Sequence, residues 1–469
     1  MEMTRREPLF GPRSFYAEAL SIAVPVMLQT LVASLVSLVD NFMVAGLGDA
    51  KMAGVNAANQ INFIFMVLVN IVCISGGIYL AQHRGACDPA GMRQAFRFKL
   101  IVGLALAAVY TALTLAFPEF LIRIMVSGNS AENAIVDEGA RYMRSVAPSF
   151  LPLAASAAFG TSYRETGNTR VPLIFSTVGA LTNTLLNWIF IYGNLGAPRL
   201  EVAGAAFATD IARLVEMSGF IIWTARARPD FSIKLSRLFA IDAKLFGSIL
   251  SRSGMMLFSE MSWVVSETVI TALYNARGGA QTVAGMSAAW AIGNLFFLVF
   301  GAVHTATAVT VGSTLGAGKL DEARRRARWV MAGSVPFGAV VAVLAACSTF
   351  LIPIVFANLT PEARTTTKGM LYVIACYLPL WTLLNAQFAI SRAGGDTVMG
   401  VWVDVGVTWA IFLPVAWILA HYTAIGPIAL FGFAKLSDIL KTLVAAWWLA
   451  KGRWVRNLAT SRPPPPDAQ

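Results

Sequence analysis

Long apolar stretches recur along the whole chain and are separated by short polar segments. Each reaches the roughly 20 residues that an α-helix needs to cross a bilayer. The first one is followed by no small-residue cleavage pattern, so we interpret it as a retained helix rather than a signal peptide. The pattern predicts about twelve membrane-spanning helices, at approximately 16–40, 54–82, 96–117, 138–162, 171–193, 203–224, 246–274, 284–312, 327–355, 369–391, 398–420 and 425–449.

The composition supports the same class of protein. The 469 residues are 57% hydrophobic and 13% charged, with a mean hydropathy of +0.65, whereas soluble domains are roughly 25% charged. The fold class that we expect is an all-α integral membrane protein. Because the cysteines lie in or beside spans without metal-ligand spacing, we interpret them as inert packing residues: Cys73, Cys87, Cys347 and Cys376.

The net charge of +11 has a simpler explanation than nucleic-acid binding. Of the 36 lysines and arginines, 25 lie in the terminal segments and loops on one side of the predicted spans, and 8 lie on the other side. By the positive-inside rule, both termini are then cytoplasmic, which agrees with an even number of spans. The proline-rich end, PPPPDAQ, predicts a disordered tail over residues 456–469.

The first half of the chain is repeated in the second half. A shift of 231 residues aligns 47–65 with 278–296 and 81–97 with 312–328, and shifts of 228 and 222 align two shorter segments further along. Six spans in each half predict two parallel repeats, an arrangement typical of transporters whose site lies between two lobes. We predict an N-terminal six-helix lobe over 1–225, a basic cytoplasmic linker over 226–251 and a C-terminal six-helix lobe over 252–455.

Several segments, taken in their order and spacing, resemble the MATE (multidrug and toxic compound extrusion) antiporters of bacterial type, within the wider multidrug/oligosaccharidyl-lipid/polysaccharide exporter superfamily. The resemblance covers both halves and implies two lobes around a central cavity, in the bacterial inner membrane. It also implies export of organic, often cationic, compounds in exchange for inward Na⁺ or H⁺. The matching segments are Pro25, VDNFMVAGLGDAKMAGV (39–55), AQHRGACD (81–88), RETGNTRVP (164–172), VAGAAFATDIAR (202–213), SEMSWVVSE (259–267), GSTLGAGKLDEAR (312–324) and RAGGDT (392–397).

Asp40 follows the run 19–39, which contains no charged residue. A carboxylate at membrane depth costs roughly 2.5–3.5 kcal/mol on insertion scales, so it normally faces a cavity or a partner. Gln29 lies about three helical turns earlier on the same face, and Pro25 lacks an amide hydrogen and predicts a bend. We expect Asp40, the acid that the family has in its first helix, to couple cations, Gln29 to line the substrate cavity and Pro25 to serve conformational change. A structural acid near the outer interface is the alternative for Asp40.

The second half carries four further candidate acids. Glu260 and Glu267 are seven residues apart in span seven and share one helix face. The resemblance implies that Glu260 and Asp396 match coupling acids of Na⁺-coupled relatives, which makes both candidate Na⁺ ligands. Turn capping is the alternative for Asp396, and structural pairing competes with a substrate-cavity role for Glu267. Asp404 has no lysine or arginine within one turn, so we expect it to face the cavity or a polar group of another helix.

The first half departs from the archaeal-type members of the family, which carry an acid in span five. This chain has Asn183 and Asn187 at the matching positions. An amide can ligate or donate a hydrogen bond but cannot titrate. We therefore expect both asparagines to join the cation-coupling group by orienting Asp40.

Other polar residues inside spans are expected to be structural. We interpret His304 as a hydrogen-bonded interior residue. In span six, and at the equivalent positions of the repeat in span twelve, acidic and basic side chains at helical spacing predict ion pairs that hold helices together. These residues are Asp210, Arg213 and Glu216 in span six, and Lys435 and Asp438 in span twelve.

Three other classes of protein compete with an antiporter. An enzyme is disfavoured because LGAGKL (315–320) fails the P-loop spacing and no HExxH or CxxC motif occurs, and we expect no cofactor besides the coupling ion. A lipid-linked oligosaccharide flippase would need a basic cavity, whereas the deep charges here are mainly acidic. A passive channel would need no ion gradient. The expected partners are small organic substrates and membrane lipid, and the expected state is a monomer.

Overall fold

The computed structural model describes residues 8–126, 132–356 and 359–459, and this part of the chain is helical, with no β-strand. The first half contains eight α-helices: α1 (Arg13–Ala45), α2 (Asp49–Gly85), α3 (Pro89–Ala116), α4 (Pro118–Val126), α5 (Glu132–Val146), α6 (Phe150–Glu165), α7 (Arg170–Tyr192) and α8 (Glu201–Ala227). The second half contains α9 (Ala243–Asn275), α10 (Ala280–Phe296), α11 (Leu298–Thr307), α12 (Ser313–Gly316), α13 (Leu320–Ser348), α14 (Ile352–Val355), α15 (Pro361–Ala393), α16 (Leu413–Tyr422), α17 (Pro427–Lys435) and α18 (Ser437–Ala450).

All twelve predicted spans fall on helices. The fourth span is formed by α5 and α6, the eighth by α10 and α11, the ninth by α13 and α14, and the twelfth by α17 and α18, each with a short break between its helices. Among the described residues, eight helical segments are long and apolar enough to cross a membrane by length and composition alone. The chain is therefore an all-helical, multi-pass membrane protein, as the hydrophobic pattern predicts.

Local sequence signals set several helix ends. Asp88 accepts hydrogen bonds from the backbone amides of Ala90 and Gly91 and so caps α3, which begins at Pro89. Proline suits the first turn because the amide hydrogen that it lacks would have no partner there. The α7 helix ends at Gly193, which has a φ of 74° and so adopts the left-handed conformation that glycine tolerates.

Wider, π-helical turns interrupt the helices of the second half at three places: Ala308–Gly312, Gly400–Gly406 and Thr408–Phe412. Such turns insert an extra residue into the helix and are frequent at functional sites. The second of them carries Asp404, one of the predicted cavity acids.

By its internal contacts the chain forms two compact units. We call residues 1–27, 81–87 and 251–469 the C-terminal unit, and residues 28–80 and 88–250 the N-terminal unit. This division assigns the first half of α1, through Pro25, to the C-terminal unit and the second half, with Asp40, to the N-terminal unit. The predicted lobe boundaries at 225 and 252 stay a prediction.

Each unit has its own hydrophobic core. The core of the N-terminal unit includes Phe65, Met143 and Phe150, and that of the C-terminal unit includes Tyr274, Met286 and Phe431. In the N-terminal unit the fully buried Lys99 pairs with Glu165 and donates to Ser162 (Nζ to Oγ, 3.2 Å). A buried charge is tolerated when it is paired and hydrogen-bonded in this way.

Ordered contacts continue into the segment predicted as a disordered tail. The amide of Leu458 donates to Gln82 Oε1 at 2.6 Å, and Asn457 Nδ2 donates to the carbonyl of Gly316 at 3.0 Å. Asn457 and Leu458 are thus hydrogen-bonded to other segments of the C-terminal unit. The rest of the predicted tail, 460–469, lies outside the described residues.

Candidate ion and substrate sites

The N-terminal unit places both predicted asparagines against Asp40. Asn187 Nδ2 donates to Asp40 Oδ1 at 2.7 Å. With its amide oriented so that the oxygen accepts from Thr209 Oγ1 (3.2 Å), Asn183 donates to Asp40 Oδ2 at 2.8 Å. The two asparagines are four residues apart on α7 and therefore share one helix face. Both carboxylate oxygens of Asp40 are held by amide donors.

The arrangement leaves one buried acceptor free. Asn187 is 1% exposed, and its Oδ1 has no hydrogen-bond partner within the described chain. Buried polar atoms are nearly always paired, and an exception often marks the place of a water or an ion. A carboxylate and an amide oxygen are hard ligands of the kind that bind Na⁺ or a water molecule that carries the proton. The chemistry of this donor set fits a small monovalent cation.

Gln29 does not contact Asp40 and belongs to a separate network. It donates from Nε2 to Ser176 Oγ (2.8 Å), which in turn donates to Glu216 Oε1 (2.8 Å). The other oxygen of Glu216 accepts from Arg213 Nη1 at 2.8 Å. The predicted pairing of Arg213 with Glu216 is present, and Gln29 is linked to it through one hydroxyl.

Asp210, by contrast, lies outside the ion pair that the sequence pattern suggests. It is 7% exposed, and its Oδ1 has no hydrogen-bond partner among the described residues. Tyr142, which sequence reasoning missed, interacts electrostatically with both Asp40 and Asp210. No sequence signal marks Tyr142, because its position depends on the packing of α5 against α8.

The C-terminal unit contains a cavity of about 340 Å³. Its size falls in the range of small-molecule sites, which is roughly 300–1,000 Å³. Aromatic rings form much of its wall, together with acidic and basic side chains. The charged lining residues are Glu260, Glu267, Asp404 and Asp438, and Arg392, Lys435 and Lys441, while the aromatic ones include Trp263, Trp290, Phe297, Phe300, Trp381, Phe388 and Phe412.

Each of the three predicted acids on this wall forms an ion pair. Glu260 Oε1 lies 2.9 Å from Arg392 Nη2. Asp404 Oδ1 lies 2.8 Å from Lys441 Nζ, so Asp404 faces both the cavity and a polar group of another helix.

Glu267 pairs with Lys435. Sequence reasoning missed these three basic partners as site residues, because they come from helices far away in sequence. It also paired Lys435 with Asp438, whereas the structure pairs it with Glu267.

Asp396 lies beside this cavity rather than on its wall. It is 7% exposed, and its Oδ2 accepts from Trp448 Nε1 at 2.9 Å. Ser259, Arg392 and Asp396 line a separate pocket of about 10 Å³, close to the space that one water needs. Arg392 therefore lines both spaces, the larger cavity together with Glu260 and the small pocket together with Asp396.

His304 is an interior residue on the cavity wall, with Nε2 3.3 Å from Asn385 Oδ1. Within the described ranges, no group of three or more histidine, cysteine or acidic side chains could hold a metal ion. The site chemistry is that of paired charges, amides and aromatic rings.

Twelve helical spans with buried carboxylates and a charged, aromatic-lined cavity define a polytopic membrane transporter. The MatE family model matches residues 25–189 and 256–418, and the chain belongs to this family. Its members are transporters rather than enzymes. The two matched segments correspond to the two halves of the sequence repeat.

Named relatives cover most of the chain. It is 23% identical over 412 residues to the multidrug resistance protein MdtK of Yersinia enterocolitica (85% of this chain, 86% of the relative). It is 21% identical over 474 residues to a protein named "Probable multidrug resistance protein NorM" from Thermotoga maritima (95% and 94%). A crystal structure of MATE in the straight conformation has the same fold, with a TM-score of 0.82 at 20% identity (95% of this chain, 97% of that chain).

Proposed function

We propose that the protein is a secondary active antiporter that exports organic cations in exchange for inward Na⁺ or H⁺. The observation that carries the proposal is Asp40, an acid in an apolar helix whose two carboxylate oxygens are both held by amides, beside the unpartnered oxygen of Asn187. Ionisable groups inside membrane helices mark ion pathways by default. The multidrug resistance relatives support the export of organic compounds.

The proposed cycle couples ion binding to alternating access. The cation enters from outside and neutralises Asp40, and the two lobes rock so that the ion leaves inside and the substrate is taken up there. Pro25, in the same helix, has no amide to donate to the preceding turn, which weakens the helix at that point. Ion binding would then bias a change of helix shape, since a ligand shifts an equilibrium by its differential affinity for the two states.

The cavity of the C-terminal unit is the proposed substrate site. Flat aromatic walls suit varied organic molecules, and four acids against three bases give the lining a small excess of negative charge. Glu260 and Asp396 are further coupling candidates, but a Na⁺ ion at Glu260 would have to compete with Arg392. We place the protein in the inner membrane as a monomer with both termini cytoplasmic.

The experiment uses everted vesicles that contain the protein, and a fluorescent organic cation is added outside them. A Na⁺ gradient and a pH gradient are imposed separately, and we expect one of them to drive uptake and an ionophore that collapses it to stop uptake. If Na⁺ alone drives uptake, Na⁺ is the ion that neutralises Asp40, and Glu260 and Asp396 become candidates for a second Na⁺ site. Should only the pH gradient work, Asp40 and the acids of α9 are the titrating groups.

Two outcomes would contradict the proposal. Flux that continues after both gradients are collapsed would identify a passive channel. Translocation of a lipid-linked oligosaccharide, without uptake of the organic cation, would identify a flippase.

A further inference from the structure

Lys435, at the end of α17, lies in an aromatic cage at the cavity wall. Its Nζ is 4.9 Å from the ring centre of Phe412, 5.5 Å from that of Phe431 and 5.9 Å from that of Trp381. The side chain of Glu267 completes the cage as the counter-ion. Aromatic rings with a nearby carboxylate are the arrangement that recognises alkylammonium groups, through cation–π attraction and direct ion pairing.

The cage belongs to a charge network with one unbalanced negative charge. Lys441 lies 2.8 Å from Asp404 and 3.8 Å from Asp438. Together with Glu267 these are three carboxylates against two ammonium groups, Lys435 and Lys441. The remaining lining pair, Glu260 with Arg392, is balanced by itself. A low-dielectric wall with one excess negative charge favours one additional monovalent cation.

Two other carboxylates also act on Lys435. Besides Glu267 it interacts electrostatically with Asp438 and Asp404. Asp438 is held in place by Trp381, whose Nε1 donates to its Oδ2 at 2.8 Å. A lysine has a flexible four-carbon side chain and a compact charge, so its ammonium group can move from one carboxylate to the next without a change in the backbone.

We propose that this cage is the subsite for the cationic head group of the substrate, and that Lys435 is its internal occupant. A substrate cation enters the cage, pairs with Glu267 and displaces the Lys435 ammonium towards Asp438 and Asp404. The flat part of the substrate then lies along Trp290, Phe297 and Phe300 in the same cavity. The inference rests on the proposed function in taking an organic monocation as the substrate class.

A purely structural Lys435 would behave differently. If the lysine only neutralised Glu267, its removal would leave a buried carboxylate without a partner and would destabilise the protein. As an internal competitor, Lys435 also lowers the affinity for external cations. The structural role alone therefore predicts only a loss of stability, whereas the competitor role also predicts tighter cation binding.

The test measures the binding of benzyltrimethylammonium to purified protein in lipid nanodiscs by calorimetry, without any ion gradient. We expect Lys435→Met, which keeps the alkyl length and removes the charge, to bind the probe at least about tenfold more tightly than the unsubstituted protein does, because each 1.4 kcal/mol of lost competition gives a factor of ten. Neopentylbenzene, the uncharged isostere of the probe, is expected to gain nothing. Adding Glu267→Gln to Lys435→Met should cancel the gain.

Lys441→Met is the matched control, since Lys441 also pairs with a cavity acid but its ammonium lies in no aromatic cage that the structure describes. Equal tightening by both substitutions, or no tightening by Lys435→Met in folded protein, would overturn the proposal. If Lys435→Met does not fold, Lys435→Arg is measured instead. The larger guanidinium should bind the cage more tightly and lower the affinity for the probe. An unchanged affinity for the probe would refute the proposal. Because no gradient is used, these results are independent of whether the vesicle experiment shows antiport.

Discussion

Asp40→Asn is expected to abolish ion-driven efflux while the folded protein stays in the membrane. The substitution keeps the shape of the side chain and removes its charge. A carboxylate and a monovalent cation about 4 Å apart attract by about 4 kcal/mol at an effective dielectric constant of about 20. Losing that attraction lowers the cation affinity by about three orders of magnitude, so neither a Na⁺ nor a pH gradient should drive uptake in everted vesicles.

The C-terminal unit provides an internal check on this variant. Its cavity contains none of the residues that hold Asp40. Binding of an organic cation, monitored by tryptophan fluorescence, should therefore persist in Asp40→Asn. Asp49→Asn, which removes an acid from the first turn of α2, serves as the control and should transport normally. Full gradient-driven efflux by Asp40→Asn would refute its role as the coupling acid.

The helices could be predicted from the sequence because membrane insertion leaves a one-dimensional signal. About 20 consecutive apolar residues must form a helix, since no water is available for their backbone groups. The repeat then fixes which helices are equivalent. The contact between Asp40 and Asn187 could also be predicted. The family pattern places both residues, and a carboxylate at membrane depth needs a hydrogen-bond donor.

The partners of the cavity acids were not predictable in the same way. The bases that pair with Glu260, Glu267 and Asp404 come from helices 132, 168 and 37 residues further along the chain. Helical spacing identifies neighbours only within one helix, so it paired Lys435 with Asp438. The π-helical turn that carries Asp404 adds a local rotation that the 3.6-residue period does not contain.

The repeat also explains a backbone contact within the C-terminal unit. A Cβ atom at Gly85 would overlap the carbonyl oxygen of Ser313, and one at Gly316 would overlap the carbonyl oxygen of Gln82. The shift of 231 residues that aligns Gly85 with Gly316 also aligns Gln82 with Ser313. The two contacts are therefore equivalent, and each depends on a residue without a side chain.

Neighbouring hydrogen bonds fix this contact. Gln82 Nε2 donates to the carbonyl of Ala393 at 2.7 Å, and Gln82 Oε1 accepts from Leu458, in the segment that follows α18. Glycine is required where two backbones approach this closely. Because basic residues surround both segments, the positive-inside rule predicts that the contact lies on the cytoplasmic side, and we expect transport to depend on it.

Gly316→Ala is accordingly expected to reduce efflux to background and to lower the free energy of unfolding by about 1–3 kcal/mol, the usual effect of overpacking. The overlapping atom is a backbone carbonyl and cannot turn away as a side chain can. Gly85→Ala should have the same effect, since the two positions are equivalent in the repeat. Gly247→Ala, on α9, is the control: its Cβ would meet no atom within 4 Å, and alanine should stabilise the helix slightly. Normal transport and an unchanged melting temperature in Gly316→Ala would show that the contact is not needed.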